Sequence, residues 1–192
     1  MSLSPVGFGL LLFVLPLLIN AQPNVEAYNR GVAASDAKNW DLAIREYSSA
    51  IQLNASEWRS HYNRAIAYFE KGNYQNCVAD NSAAIKLNPN YSDAFLNRGI
   101  CYRLLLQYDL AIADADKAIL LKPGDHKPFT ARGNAYFSKA NYDAAIADYT
   151  RAIQLNASDP HAFRGRGDAY AGKEQYDLAL PDLDKAIQLD PN

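Results

Sequence analysis

The chain has 192 residues, with 19 Lys+Arg against 21 Asp+Glu for a net charge of −2, and is 49% hydrophobic and 21% charged. That composition excludes an intrinsically disordered chain and argues against a nucleic-acid binder, which carries a basic excess or stripe. Two cysteines and three scattered histidines exclude a disulfide-stapled mini-protein and a four-ligand zinc site.

Residues 1–21, MSLSPVGFGLLLFVLPLLINA, carry no charged side chain, and the apolar run from Val6 to Ile19 is interrupted by Pro16. The run is shorter than the ~20 residues of a membrane-spanning helix. It reads as the apolar core of a secretory signal peptide, with Ile19-Asn20-Ala21 as the cleavage site before Gln22. The expectation is export to a periplasm, a cell envelope or the exterior. The alternative is a membrane anchor formed by residues 6–19, the one segment through which a membrane contact is expected.

After Gln22 the chain repeats itself. Ala50-Ile51-Gln52-Leu53 returns as Ala84-Ile85-Lys86-Leu87, Ala118-Ile119-Leu120-Leu121, Ala152-Ile153-Gln154-Leu155 and Ala186-Ile187-Gln188-Leu189, each 34 residues after the last. Residues 22–192 therefore form one array with units 24–57, 58–91, 92–125, 126–159 and 160–192. In the third unit Phe95, Gly99 and Tyr102 fall on one helical face, and Ala111, Ala115 and Ala118 repeat that spacing in its second half. Turn-forming stretches such as Lys71-Gly72-Asn73 split the units, and Asn88-Pro89-Asn90 and Lys122-Pro123-Gly124 join them. Asp159 before Pro160 predicts a helix cap with proline in the first turn. Each unit is thus a helix–turn–helix hairpin, and the hairpins must stack to bury their apolar faces.

An arginine column at Arg30, Arg64, Arg98, Arg132 and Arg166 is followed sixteen residues later by Glu46, Asp80, Asp114, Asp148 and Asp182. Five-fold co-occurrence predicts structural ion pairs rather than a basic ladder for an anionic ligand. As exposed pairs they would contribute only about 0–1 kcal/mol each.

These units resemble the tetratricopeptide repeat (TPR) family. In the fourth unit the family's pattern falls on Phe129, Arg132-Gly133, Tyr136, Ala145, Tyr149, Ala152 and Ala157, with Phe or His in place of the usual Trp and Arg in place of Leu. The resemblance implies an all-α, right-handed solenoid of five hairpins whose first helices line a concave groove. It also implies a non-enzymatic scaffold that binds a peptide or partner protein there. The groove stripe includes Val25, Tyr28, Val32, Tyr62, Ile66, Phe69, Leu96, Ile100, Arg103 and Phe137, apolar toward the N-terminus and polar toward the C-terminus. The bland alternative is that Tyr28, Tyr62, Ile66 and Ile100 merely pack between units. The family's carboxylate clamp is incomplete: Asn63 and Asn97 match its middle asparagine, but Tyr28, Val32, Tyr62 and Ile66 stand where it needs flanking lysines.

No phosphate loop, nucleophile elbow or zinc motif is present, so no catalytic residue, cofactor or metal is expected. Cys77 replaces the Ala of sister units and reads as a small buried residue; pairing with Cys101 is the alternative in an oxidising compartment. Pro181 falls inside the last helix and should kink it, at ~3 kcal/mol if unrelieved. With no polar capping helix after the fifth unit, Leu178, Leu183 and Ile187 are expected to remain partly open as a C-terminal docking end. That end carries two alternative functions: a structural subunit of an envelope complex, self-associating there, or an accessory module presenting substrates to a separate enzyme.

Overall fold

The computed structural model describes residues 22–191. The segment 1–21, with the signal peptide expected there, lies outside them. The described residues form ten α-helices and no strand: α1 (Pro23–Asp36), α2 (Trp40–Leu53), α3 (Trp58–Glu70), α4 (Tyr74–Leu87), α5 (Ser92–Leu104), α6 (Tyr108–Leu121), α7 (His126–Ser138), α8 (Tyr142–Leu155), α9 (Pro160–Gly172) and α10 (Tyr176–Leu189). Helices this short are marginal alone in water, so their stability comes from packing.

The same turn is built five times. Lys38, Gly72, Leu106, Ala140 and Glu174 occupy one position of the repeat, and all have positive φ, from 54° to 71°. This left-handed residue closes the first helix of each hairpin. In the first unit the Asn39 N–H donates to the Ala34 carbonyl (2.8 Å) and the Lys38 N–H to the Ser35 carbonyl (2.9 Å), satisfying acceptors the helix end leaves open. Asn39, Asn73 and Asn141 then cap α2, α4 and α8, accepting from the backbone N–H groups of Leu42, Asn76 and Ala144. Asp159 caps α9 through the His161 N–H, as its place before Pro160 predicts.

Every helix packs on the next in sequence. In addition α1, α3, α5, α7 and α9 touch one another in series, whereas among the described residues no second helix touches another second helix. The first helices therefore line the inner side of the curve and the second helices the outer side. Close approach is possible because the interface is built from small residues: Ala43, Ala65, Ala67, Ala84, Ala94, Ala145, Ala152, Ala162 and Ala169 are fully buried. The bulk comes from a few aromatics. Tyr149 is held between two glycines, since a Cβ at Gly133 would lie 2.8 Å, and one at Gly165 2.5 Å, from its ring.

All five expected ion pairs form, and four are not exposed pairs. Arg64, Arg98, Arg132 and Arg166 each hold Asp80, Asp114, Asp148 and Asp182 through two parallel hydrogen bonds of 2.6–2.8 Å. Those four aspartates are buried. Each arginine also reaches back to the preceding unit, donating to Ser48, Ser82, Asp116 or Thr150. One guanidinium thus joins three helices, and the value appropriate to a surface pair does not apply. Only Arg30 keeps a single bond, to Glu46 (2.8 Å), with its side chain 57% exposed. Burial pushes the Asp80 carboxyl up, but hydrogen bonds and charge from Arg64 and His61 outweigh it and hold the group below its usual value. Its contribution to stability is therefore present above the ordinary carboxylate range and is lost as pH falls through the lowered value.

One sequence expectation is corrected. Cys77 is fully buried, but it is not a free small residue: it is bonded to Cys101, with Cα atoms 6.5 Å apart, tying α4 of the second unit to α5 of the third. Pro181 stands inside α10, where the sequence places it, and the helix runs through it to Leu189. Both Pro181 and Asp177, whose carbonyl loses its helical donor, are exposed, so water can take the place of the missing N–H.

Candidate functional site

The inner surface of the first helices carries a run of connected recesses. One, of about 370 Å³, lies between α3 and α5 and is lined by Tyr62, Ile66, Asp93, Leu96, Asn97 and Ile100, with Lys122, Asp125 and Lys127 at its edge. Leu96, Ile100 and Lys127 also line the next, of about 320 Å³, where Arg103, His126, Thr130, Asn134, Asp159 and His161 join them. Arg103, Asn134 and His161 continue into a third, shared with Phe137, Tyr149, Arg164 and Asp168. A separate recess near the start of the array holds Val25, Tyr28 and Arg59.

The stripe residues divide between surface and packing. Ile66, Leu96, Ile100, Arg103 and Phe137 line the recesses directly. Val25 is exposed. Val32 instead packs against the cluster of Ala34, Ala43, Tyr47 and Ala67. Tyr28 leans on Tyr47, with ring centroids 5.9 Å apart, and its hydroxyl accepts from Asn63 (2.9 Å). Tyr62 meets Tyr91 edge-on at 4.9 Å while presenting its other side to the recess. Burial, reinforced by Tyr91 and Asp93, drives the Tyr62 phenol well above its usual range, so it is a neutral hydrogen-bonding group there. Phe69 and Phe137 lean on Tyr74 and Tyr142. Of the end residues, Leu178 (51%) and Ile187 (63%) are exposed, whereas Leu183 is half-buried over Gly167.

Several lining residues were not part of the stripe. Lys122, Asp125 and Asp159 come from the connections between units, and Tyr91 fills the gap between Trp58 and Tyr62 from the same place. Asn97 stands out chemically. In the preceding unit Asn63 spends its amide on Tyr28, but the Asn97 Nδ2 is buried and has no hydrogen-bond partner among the described residues. A buried amide left unpaired costs about 1–3 kcal/mol. Among the described residues there is no His/Cys/Asp/Glu group suited to a metal ion, and no helix is long and apolar enough to cross a membrane.

A right-handed series of α-hairpins with first helices inside and second helices outside defines an all-α solenoid repeat protein. Sequence models of the tetratricopeptide repeat match residues 58–91, 82–113 and 165–192, and a further TPR repeat model matches 133–174. The chain belongs to the TPR family. Its fold is similar to that of MamA residues 41–end from Desulfovibrio magneticus RS-1, with a TM-score of 0.79 and 20% identity over 88% of this chain and 96% of that one. It is also similar to YrrB, described as a TPR protein with an unusual peptide-binding site (TM-score 0.71, 24% identity, 90% and 89% covered). A third similar structure is TTC0263, a thermophilic TPR protein of Thermus thermophilus (TM-score 0.73, 18% identity, 88% and 92% covered). No significant match is found among curated proteins. The family is one of protein–protein interaction scaffolds, and this chain is one of them.

Proposed function

We propose that this scaffold binds an extended peptide along its inner groove, centred on the recesses between α3, α5 and α7. The observation that carries this is the recess walled by the apolar side chains of Tyr62, Ile66, Leu96 and Ile100 on the inner face of α3 and α5, with the Asn97 side chain beside them. Apolar side chains of a bound peptide would cover such walls. The likeness to YrrB, whose description includes a peptide-binding site, favours the same reading. The buried Cys77–Cys101 bond agrees with an oxidising compartment, and with residues 1–21 acting as an export signal. A second reading rests on the outer face of the last hairpin, where Tyr176, Leu180 and Ile187 are 60%, 60% and 63% exposed; there a second copy of the chain would dock.

The test is capture of partners from the envelope or secreted fraction with the full chain as bait, beside an Ile66→Ala/Asn97→Ala variant whose helicity is checked by circular dichroism. Loss of a captured partner by the well-folded variant supports the groove. Undiminished capture moves the site elsewhere, and concentration-dependent sedimentation abolished by Ile187→Glu supports the self-association reading.

A further inference from the structure

The seams between hairpins are all built alike. The first helix of one hairpin lies on the second helix of the hairpin before it, at α2–α3, α4–α5, α6–α7 and α8–α9. At each seam the first helix brings a fully buried small residue at one repeat position: Ala67, Cys101, Ala135 or Ala169. Its ladder arginine sends an Nη1 donor back to the second helix, again at one repeat position: Ser48, Ser82, Asp116 or Thr150.

Half a seam stands open at each end of the described residues. On α1, Ala33 holds the repeat position of Ala67 but is exposed. Arg30 bonds Glu46 through Nε and sends no donor backward among the described residues. On α10, Tyr176, Leu180 and Ile187 are exposed, whereas their counterparts Tyr142, Ile146 and Ile153 are half-covered by α9. Asp184 holds the repeat position of Ser48, Ser82, Asp116 and Thr150, and it too is exposed. The halves match in kind: a guanidinium with its backward donor unspent, and a carboxylate where that donor's acceptor belongs. Arg132 and Asp116 already make this same pairing inside the array.

We propose that copies of the chain join head to tail, with α1 of one copy packing on α10 of another as the first helix of a further hairpin would. Arg30 of the first copy then meets Asp184 of the second, and Ala33 lies against the open apolar face of α10. This rests on the self-association reading above and adds the surface that the second copy brings. Because the two halves lie at opposite ends, every added copy leaves one half open, and the assembly extends the solenoid without closing. Glu26 sets its strength. Its counterparts Ser60, Ala94, Pro128 and Ala162 are fully buried. The joint must therefore desolvate a carboxylate where the internal seams hold a small residue, which makes it weaker and more reversible than they are.

Sedimentation velocity on the full chain over a concentration series tests this, with each end blocked in turn. Ala33→Arg blocks the head and Ile187→Glu the tail; both positions are exposed, and circular dichroism checks that both variants fold. The parent should lengthen with concentration, and each blocked variant alone should stay monomeric. An equimolar mixture of the two should form a dimer and nothing longer, because one supplies an intact tail and the other an intact head. Asp184→Arg, which sets like charges across the joint, should weaken association about tenfold. Glu26→Ala should strengthen it about tenfold. Dimerisation of Ala33→Arg alone would make the joint tail to tail, overturning the pairing of ends while leaving self-association standing. Association untouched by either block, or weakened by Glu26→Ala, also overturns the proposal. A parent that stays monomeric up to about 1 mM overturns it together with the self-association reading.

Discussion

The difference between Arg30 and its sister arginines shows how one residue type acquires different energetic roles at equivalent positions. Arg98 makes a bidentate pair with a buried Asp114 and a third bond to Ser82 of the unit before it. Arg30 has no preceding hairpin among the described residues to reach and makes one bond to Glu46 from an exposed position. Removing Arg98 strands a buried carboxylate, so Arg98→Ala should destabilise the fold by about 3–5 kcal/mol. Arg30→Ala should cost no more than about 1 kcal/mol. Chemical denaturation of the two variants side by side checks this, and equal losses would show that the buried ladder acts as a surface pair. The pairing at sixteen residues is legible in the sequence because it recurs five times in one frame. The backward contact to Ser48, Ser82, Asp116 and Thr150 recurs at the same period, yet these residues differ in type, which hides the column. Cys77–Cys101 is a different case: it occurs once, so the repeat offers no sister pair from which to read it.

At the scale of the element, the hairpin turn demands a left-handed residue that four of the five units do not supply as glycine. Leu106 holds φ at 61° with its side chain 72% exposed, so it bears the cost of this backbone region without burying its apolar body. Leu106→Gly should therefore stabilise the chain by about 1 kcal/mol, read as a rise in melting temperature; the reverse change, Gly72→Leu, should lower it by a similar amount. Helix order and hairpin spacing are readable from small and aromatic residues at helical intervals, whereas the inward-facing stripe is what the TPR resemblance implies. The completed groove is less legible. Its walls include Lys122, Asp125 and Asp159 from the connections, where no helical period assigns a face. Val32 carries the same stripe position as Ile66 and Ile100 and is half-buried like them, but it packs on the cluster around Tyr47, whereas they line the recesses.

At the scale of the molecule, contacts between helices among the described residues run only between neighbouring hairpins, so stability is distributed along the array rather than concentrated in one core. Two features make that distribution uneven. The Cys77–Cys101 bond joins the second and third units across a 24-residue separation, which in the chain-entropy view stabilises their junction by about 3 kcal/mol. At the other extreme, Tyr176, Leu180 and Ile187 of α10 are exposed, whereas their counterparts Tyr142, Ile146 and Ile153 in α8 are half-covered by the hairpin that follows. Amide hydrogen exchange should accordingly be slowest in α4 and α5 and fastest in α10. Reducing the disulfide, or replacing it in Cys77→Ala/Cys101→Ala, should lower protection in α4 and α5 by about a hundredfold and leave α10 nearly unchanged. If all ten helices instead exchange at one rate with and without the bond, the array opens as a single cooperative unit. Since α5 carries Cys101 and, with α3, lines the apolar part of the groove, a gradient centred on the disulfide would make one wall of the recess where the peptide is proposed to dock among the most rigid parts of the array, and would reduce the ordering cost of binding there.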